Sequence, residues 1–96
     1  MRRRAKVDVN QSEIVSALRS VGVFVQPLHM VGQGVPDLLA IRQGVVYLLE
    51  VKDGSKSASA RKLTPDESRW HACVFAHGYK VAIVCDVQEA FNAVGL

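Results

Sequence analysis

GVPDLLAIRQGVVYLLEVKDG, residues 34–54, decides how this chain folds. LLAIR (38–42) and VVYLLEVK (45–52) are β-branched and aromatic runs, and Gln43-Gly44 separates them. This is the pattern of two strands joined by a tight hairpin. With Gln43 and Gly44 as the tip, Arg42 faces Val45, and each outward step pairs the next residues until Asp37 faces Glu50. A four-residue loop closing at Ile41 and Val46 keeps the same register; a three-residue loop would break it. Directly opposed residues hold their Cβ atoms about 4.5–5.5 Å apart, where like charges destabilise a strand pair. Two carboxylates placed there do not serve stability.

Alternation along the strands sharpens the point. Val46, Leu48, Glu50 and Lys52 share one face with Asp37, Leu39 and Ile41, while Val45, Tyr47, Leu49 and Val51 share the other. Both faces are apolar, which predicts a central, covered strand. Two acids and an ammonium therefore converge at one strand end. A divalent cation removes the repulsion: Mg²⁺ is a hard ion that takes one or two carboxylates, keeps several waters and leaves room for phosphate oxygens. Lys52 beside it can align or help deprotonate a water and neutralise charge developing on phosphorus. The competing reading has Asp37 in an ordinary Pro-Asp turn, paired with Lys52 as a weak surface ion pair, and Glu50 at a frayed strand end.

Around this hairpin the helix starts are well marked. VNQSEIVSALRSVG offers Asn10 as N-cap with Glu13 three residues later, an apolar stripe of Ile14, Val15, Leu18 and Val21, and Gly22 as the stop. TPDESRWHACVFAHG repeats the signature through Thr64, Pro65, Glu67 and Gly78, and DVQEAFNAV does so through Asp86 and Glu89. VFVQPLHM (23–30) reads as an edge or bulged strand because of Pro27, and YKVAIVC (79–85) as a firmer one. The expected order is α-β-β-β-α-β-α, with a polar loop over residues 53–63. The chain has no internal repeat, and KSASA is its one low-complexity stretch.

The totals fit one small α/β domain over residues 10–96 behind a basic tail, residues 1–9. Of 96 residues, 49% are hydrophobic and 22% charged, which excludes a disordered chain. No apolar run approaches the roughly 20 residues that span a bilayer. MRRRAK is not followed by the apolar segment of a secretory signal, so cytosolic residence is the default expectation. Cys73 and Cys85 lack a CxxC spacing and read as reduced, mostly buried thiols. The net charge of +3 leans weakly toward an anionic partner. Placement says more. Arg2, Arg3, Arg4 and Lys6 lead the chain and are positioned to contact phosphates nonspecifically, and Lys56, Arg61 and Lys62 flank the Glu50–Lys52 end. His29, His71 and His77 have no metal-ligand spacing, and no catalytic role is expected of His71 or His77. Trp70 and Phe75 read as helix-face packing residues, Trp70 also serving a dimer contact if exposed.

GVPD, then LLEVK, resembles the PD-(D/E)xK nuclease motif, and the element order is similar to that superfamily's core. More narrowly, Glu13 in the first helix, GVPDLLA, LLEVKDG and LTPDE opening the next helix resemble the virus-type replication-repair nuclease (VRR-NUC) domain, over roughly Asn10 to Cys85. The resemblance implies a mixed central sheet flanked by helices and Mg²⁺- or Mn²⁺-dependent hydrolysis of DNA phosphodiesters. It assigns Asp37 and Glu50 as metal-binding carboxylates, the Val51 carbonyl as a further ligand and Lys52 as the catalytic lysine. Glu13 matches the first-helix acid, which holds a water of the metal shell or a second ion; this role is compatible with capping. Where the family's second helix usually opens on a glutamine, this chain has Glu67, either an added acid at the site or only a partner for Thr64. One site per chain, and two cuts on a branched substrate such as a Holliday junction, together imply a C₂ homodimer. The alternative from another class is a noncatalytic DNA-binding or assembly module, for which the repulsive Asp37, Glu50 and Lys52 cluster has no use.

Overall fold

The computed structural model describes residues 9–54 and 62–96. Gln43 and Gly44 both adopt positive φ, 52° and 79°, as a two-residue type I′ hairpin turn requires. Their twist joins β2 (Leu38–Arg42) to β3 (Val45–Val51) with Arg42 opposite Val45 and Leu38 opposite Leu49, the register expected from the sequence. β1 (Phe24–Pro27) pairs antiparallel with β2, and β4 (Ala82–Val84) pairs parallel with β3, giving one mixed sheet in the order β1-β2-β3-β4. Pro27 ends β1, which lies at the sheet edge where a missing N–H costs least. The parallel step needs a crossover, and α2 (Pro65–Ala76) lies within it.

α1 (Val9–Ser20) and α3 (Val87–Ala93) cover one face of the sheet. Ile14, Leu18, Ala90 and Val94 pack there on Val25, Leu38, Ala40, Leu49, Val51 and Val84, all buried. The other face corrects the expectation of a strand covered on both sides. α2 lies over its Glu50 end, α2 has no buried residue, and Phe24, Val46 and Ile83 on that face are exposed. Two helices are enough to cover only one face of a four-stranded sheet.

Other expectations need adjusting for related reasons. Phe75 is 66% exposed, because the half-buried stripe of α2 is Glu67, Trp70, His71 and Val74, and Phe75 lies off it; Trp70 therefore packs as expected and Phe75 does not. Cys73 is exposed on the same helix and Cys85 half-buried, and both are free thiols. Val21 lies beyond the last turn of α1 and is exposed, so it drops out of the stripe. Asn10 sits inside α1, not at its cap, and its side chain is engaged elsewhere. Thr64 and Glu67 form the full capping box on α2, whereas Asp86 caps α3 through the Glu89 amide alone, because the Glu89 carboxylate accepts from Cys85 N–H instead.

Candidate active site

The site begins with the loop that delivers Asp37. Gly34 runs at φ +83°, and a Cβ there would lie 2.2 Å from the Asp66 carbonyl oxygen. Only glycine lets this loop press against the first turn of α2, and that contact seats α2 over the end of β3. Gly34→Ala is expected to cost about 3 kcal/mol, from left-handed strain and overpacking together. A thermal melt within 2–3 °C of wild type would rule this out. Leu28 N–H donates to the Asp37 carbonyl at 2.7 Å, so the strand pairing of β1 continues past Pro27 and holds Asp37 at the mouth of the hairpin.

Asp37 Oδ2 accepts from Val51 N–H at 2.8 Å, which ties the carboxylate to β3 between Glu50 and Lys52. Glu50 is 1% exposed. Its carboxyl is pushed up to about 10, first by burial, then by hydrogen bonding to Asp37, by the Asp37 charge and by the Glu67 charge; Lys52 opposes these. The register argument thus holds in three dimensions: the two acids meet, and burial, reinforced by Asp37, keeps a proton on Glu50.

Lys52 Nζ lies 2.8 Å from Glu67 Oε1, the same oxygen that accepts from Thr64 N–H at 2.9 Å. Burial disfavours the ammonium, but the hydrogen bond to Glu67 and the charges of Glu67, Glu50 and Asp37 outweigh it and raise its pKa. Glu67 shifts the opposite way: burial pushes it up, and Lys52 with the Thr64 amide brings it below the usual carboxylate range. Glu67 therefore does both jobs the sequence left open, completing the capping box and adding an acid beside Lys52.

Two further side chains enter the cluster. His71 Nε2 lies 3.1 Å from Glu50 Oε1; burial holds its imidazole below the ordinary histidine range. Asn10 Nδ2 donates to the carbonyls of Lys52 and Cys85, at 3.0 and 2.8 Å, clamping the ends of β3 and β4 to α1. Asn10→Ala removes both bonds where these strands finish. A loss of about 1–2 kcal/mol and faster amide exchange around Val51 and Lys52 are expected; unchanged exchange there would show that the clamp is idle.

Glu13 is not brought in. It is exposed on α1 and lines a surface depression with Ser12, Ser16, Ala17, Ser20 and Val87. The helical period explains this: Ile14 and Leu18, four apart, face the core, and Glu13 lies about 100° round the helix from Ile14, off that stripe. Lys62 is exposed beyond the end of β3. Arg2, Arg3, Arg4, Lys6, Lys56 and Arg61 lie outside the described residues. His71 was missed because a lone histidine in a helix has no metal-ligand spacing; its signal was its position four residues after Glu67, which puts both on one helical face.

The chain superposes on a solved structure described as "VRR_NUC domain" with a TM-score of 0.64, at 24% identity, over 88% of this chain and 94% of that one. This chain has the VRR-NUC fold. No family model and no curated protein matches it. Among the described residues, no three His, Cys, Asp or Glu side chains are grouped to hold a metal ion. The donor chemistry that this VRR-NUC fold does assemble is a pair of carboxylates, one of them kept protonated by burial first and then by its acidic neighbours, which Lys52 only partly offsets. That suits a hard divalent ion, which needs no more than one or two carboxylates and fills its other positions with water and phosphate oxygens.

Proposed function

We propose that this protein is a divalent-metal-dependent endonuclease hydrolysing DNA phosphodiester bonds. The observation that supports it best is Glu50, a buried acid held against Asp37 with Lys52 beside them at the end of β3. Asp37 and Glu50, with the Val51 carbonyl, hold Mg²⁺ or Mn²⁺, which supplies Lewis-acid charge to the scissile phosphate when bound. Lys52, kept as an ammonium by Glu67, donates to a phosphoryl oxygen or to the attacking water and offsets the charge that develops in the transition state. Its raised pKa makes it an electrostatic partner and a poor base. Exposed Lys62, together with the basic residues 2–4, 56 and 61, provides nonspecific contacts to the DNA backbone. The chemistry is therefore positioning plus charge, as phosphoryl transfer requires.

The substrate is a branched duplex such as a four-way junction, cut by a homodimer. The bare sheet face carrying Phe24, Val46 and Ile83, with Phe75 of α2 at its margin, is apolar enough to bury against a second copy. Wild type and Asp37→Asn are to be challenged with linear, flapped and four-way DNA in Mg²⁺, Mn²⁺ and EDTA. Cleavage in both metals, none in EDTA and none by Asp37→Asn are expected; DNA binding without hydrolysis under any divalent ion would overturn the enzyme reading. Sedimentation checks the assembly: a dimer for wild type and a monomer for Val46→Lys.

A further inference from the structure

No residue of the second helix is fully buried, and polar side chains link it to the sheet. Gly34 fits against its first turn, Glu67 grips Lys52, and one turn later His71 reaches Glu50. Residues four apart share a helical face, so Glu67 and His71 form one edge that touches both β3 residues of the proposed site. The His71 side chain is only 14% exposed and that of Glu50 1% exposed, so water does not compete freely for the 3.1 Å contact between them. A neutral imidazole with its proton on Nε2 donates one hydrogen bond here without adding charge. A carboxylate held through Oε1 keeps its other oxygen for a second partner.

We propose that His71 is a positioning residue for metal binding: its Nε2 holds Glu50 Oε1 and fixes the side-chain conformation in which this carboxylate faces Asp37 and takes up the cation. The inference rests on the nuclease reading given above. His71 acts through Glu50 and touches neither the ion nor the DNA.

The test is Mn²⁺ binding by the full chain, measured by calorimetry and by electron paramagnetic resonance, for wild type, His71→Leu and His71→Gln. His71→Leu is expected to weaken Mn²⁺ binding by about tenfold or more, with a melting temperature close to wild type. His71→Gln retains an N–H donor and is expected to recover most of the affinity. If His71→Leu does not fold, His71→Asn, whose shorter amide falls short of Glu50, supplies the same comparison. Unchanged affinity in a folded variant lacking the donor would overturn the assignment and leave the nuclease reading intact. A nitrogen coupling from His71 to bound Mn²⁺ would overturn it in another way, by making His71 a ligand. Wild type that binds no Mn²⁺ would overturn both.

Discussion

Glu50→Gln is expected to abolish cleavage while raising the melting temperature of the metal-free protein at pH 8. Glu50 ionises near 4.5 when unfolded and near 10 when folded, since burial and Asp37 favour its protonated form. The folded state therefore keeps a proton that the unfolded state releases above about pH 4.5. The stability this group contributes is complete below pH 4.5 and is lost progressively as pH rises toward 10. Glutamine cannot ionise, so the variant escapes that decline and the gap widens with pH. At pH 8 in EDTA a gain of about 2 kcal/mol is expected, some 10 °C in a domain of this size. Mg²⁺ acts in the same direction on wild type by replacing the proton, and it should release protons as it binds and stabilise wild type but not Glu50→Gln. Scanning calorimetry from pH 5 to 9, with and without Mg²⁺, checks both statements. Equal or lower stability of Glu50→Gln at pH 8 would mean that the acid pair is not strained, and the motive for a cation would disappear.

Lys52→Met is expected to lower the cleavage rate by about 10²–10³ at saturating Mg²⁺, the loss typical of one charged donor at a transition state. The same change leaves Glu67 half-buried without its cation, at a cost of about 1–2 kcal/mol. Adding Glu67→Gln separates the two effects. Glutamine still accepts from the Thr64 amide but carries no charge, so the double variant recovers most of the stability and none of the rate. Single-turnover cleavage of a labelled duplex reports the first quantity and thermal melts the second. A Lys52→Met protein retaining more than about a tenth of the rate would move the positive charge of the mechanism elsewhere.

The meeting of Asp37, Glu50 and Lys52 was legible in the sequence because its logic is local. Gln43-Gly44 selects a type I′ turn, the turn sets the register, and the register brings Asp37 to Glu50. Thr64, Pro65 and Glu67 place the start of α2 in the same way. The helical acid was not legible. Glu13 satisfied a capping pattern on paper, yet the helix begins at Val9, so Asn10 lies past the cap and Glu13 faces outward. The coverage of β3 was not legible either, since its apolar residues on the Glu50 face suit burial but no helix among the described residues spans that face.

By itself, then, the sequence determined the hairpin, its register and the meeting of two acids with a lysine at one strand end, since turn chemistry and period-two alternation act between near neighbours. Only the tertiary structure decided what surrounds that cluster. Asn10 reaches carbonyls 42 and 75 residues away, and His71 reaches Glu50 across 21 residues. The contacts of α2 follow from how its first turn packs on Gly34, and that packing has no local signature. The burial that holds a proton on Glu50 is likewise a property of the assembled sheet and helices, and it turns an odd charge pattern into a site suited to a metal ion.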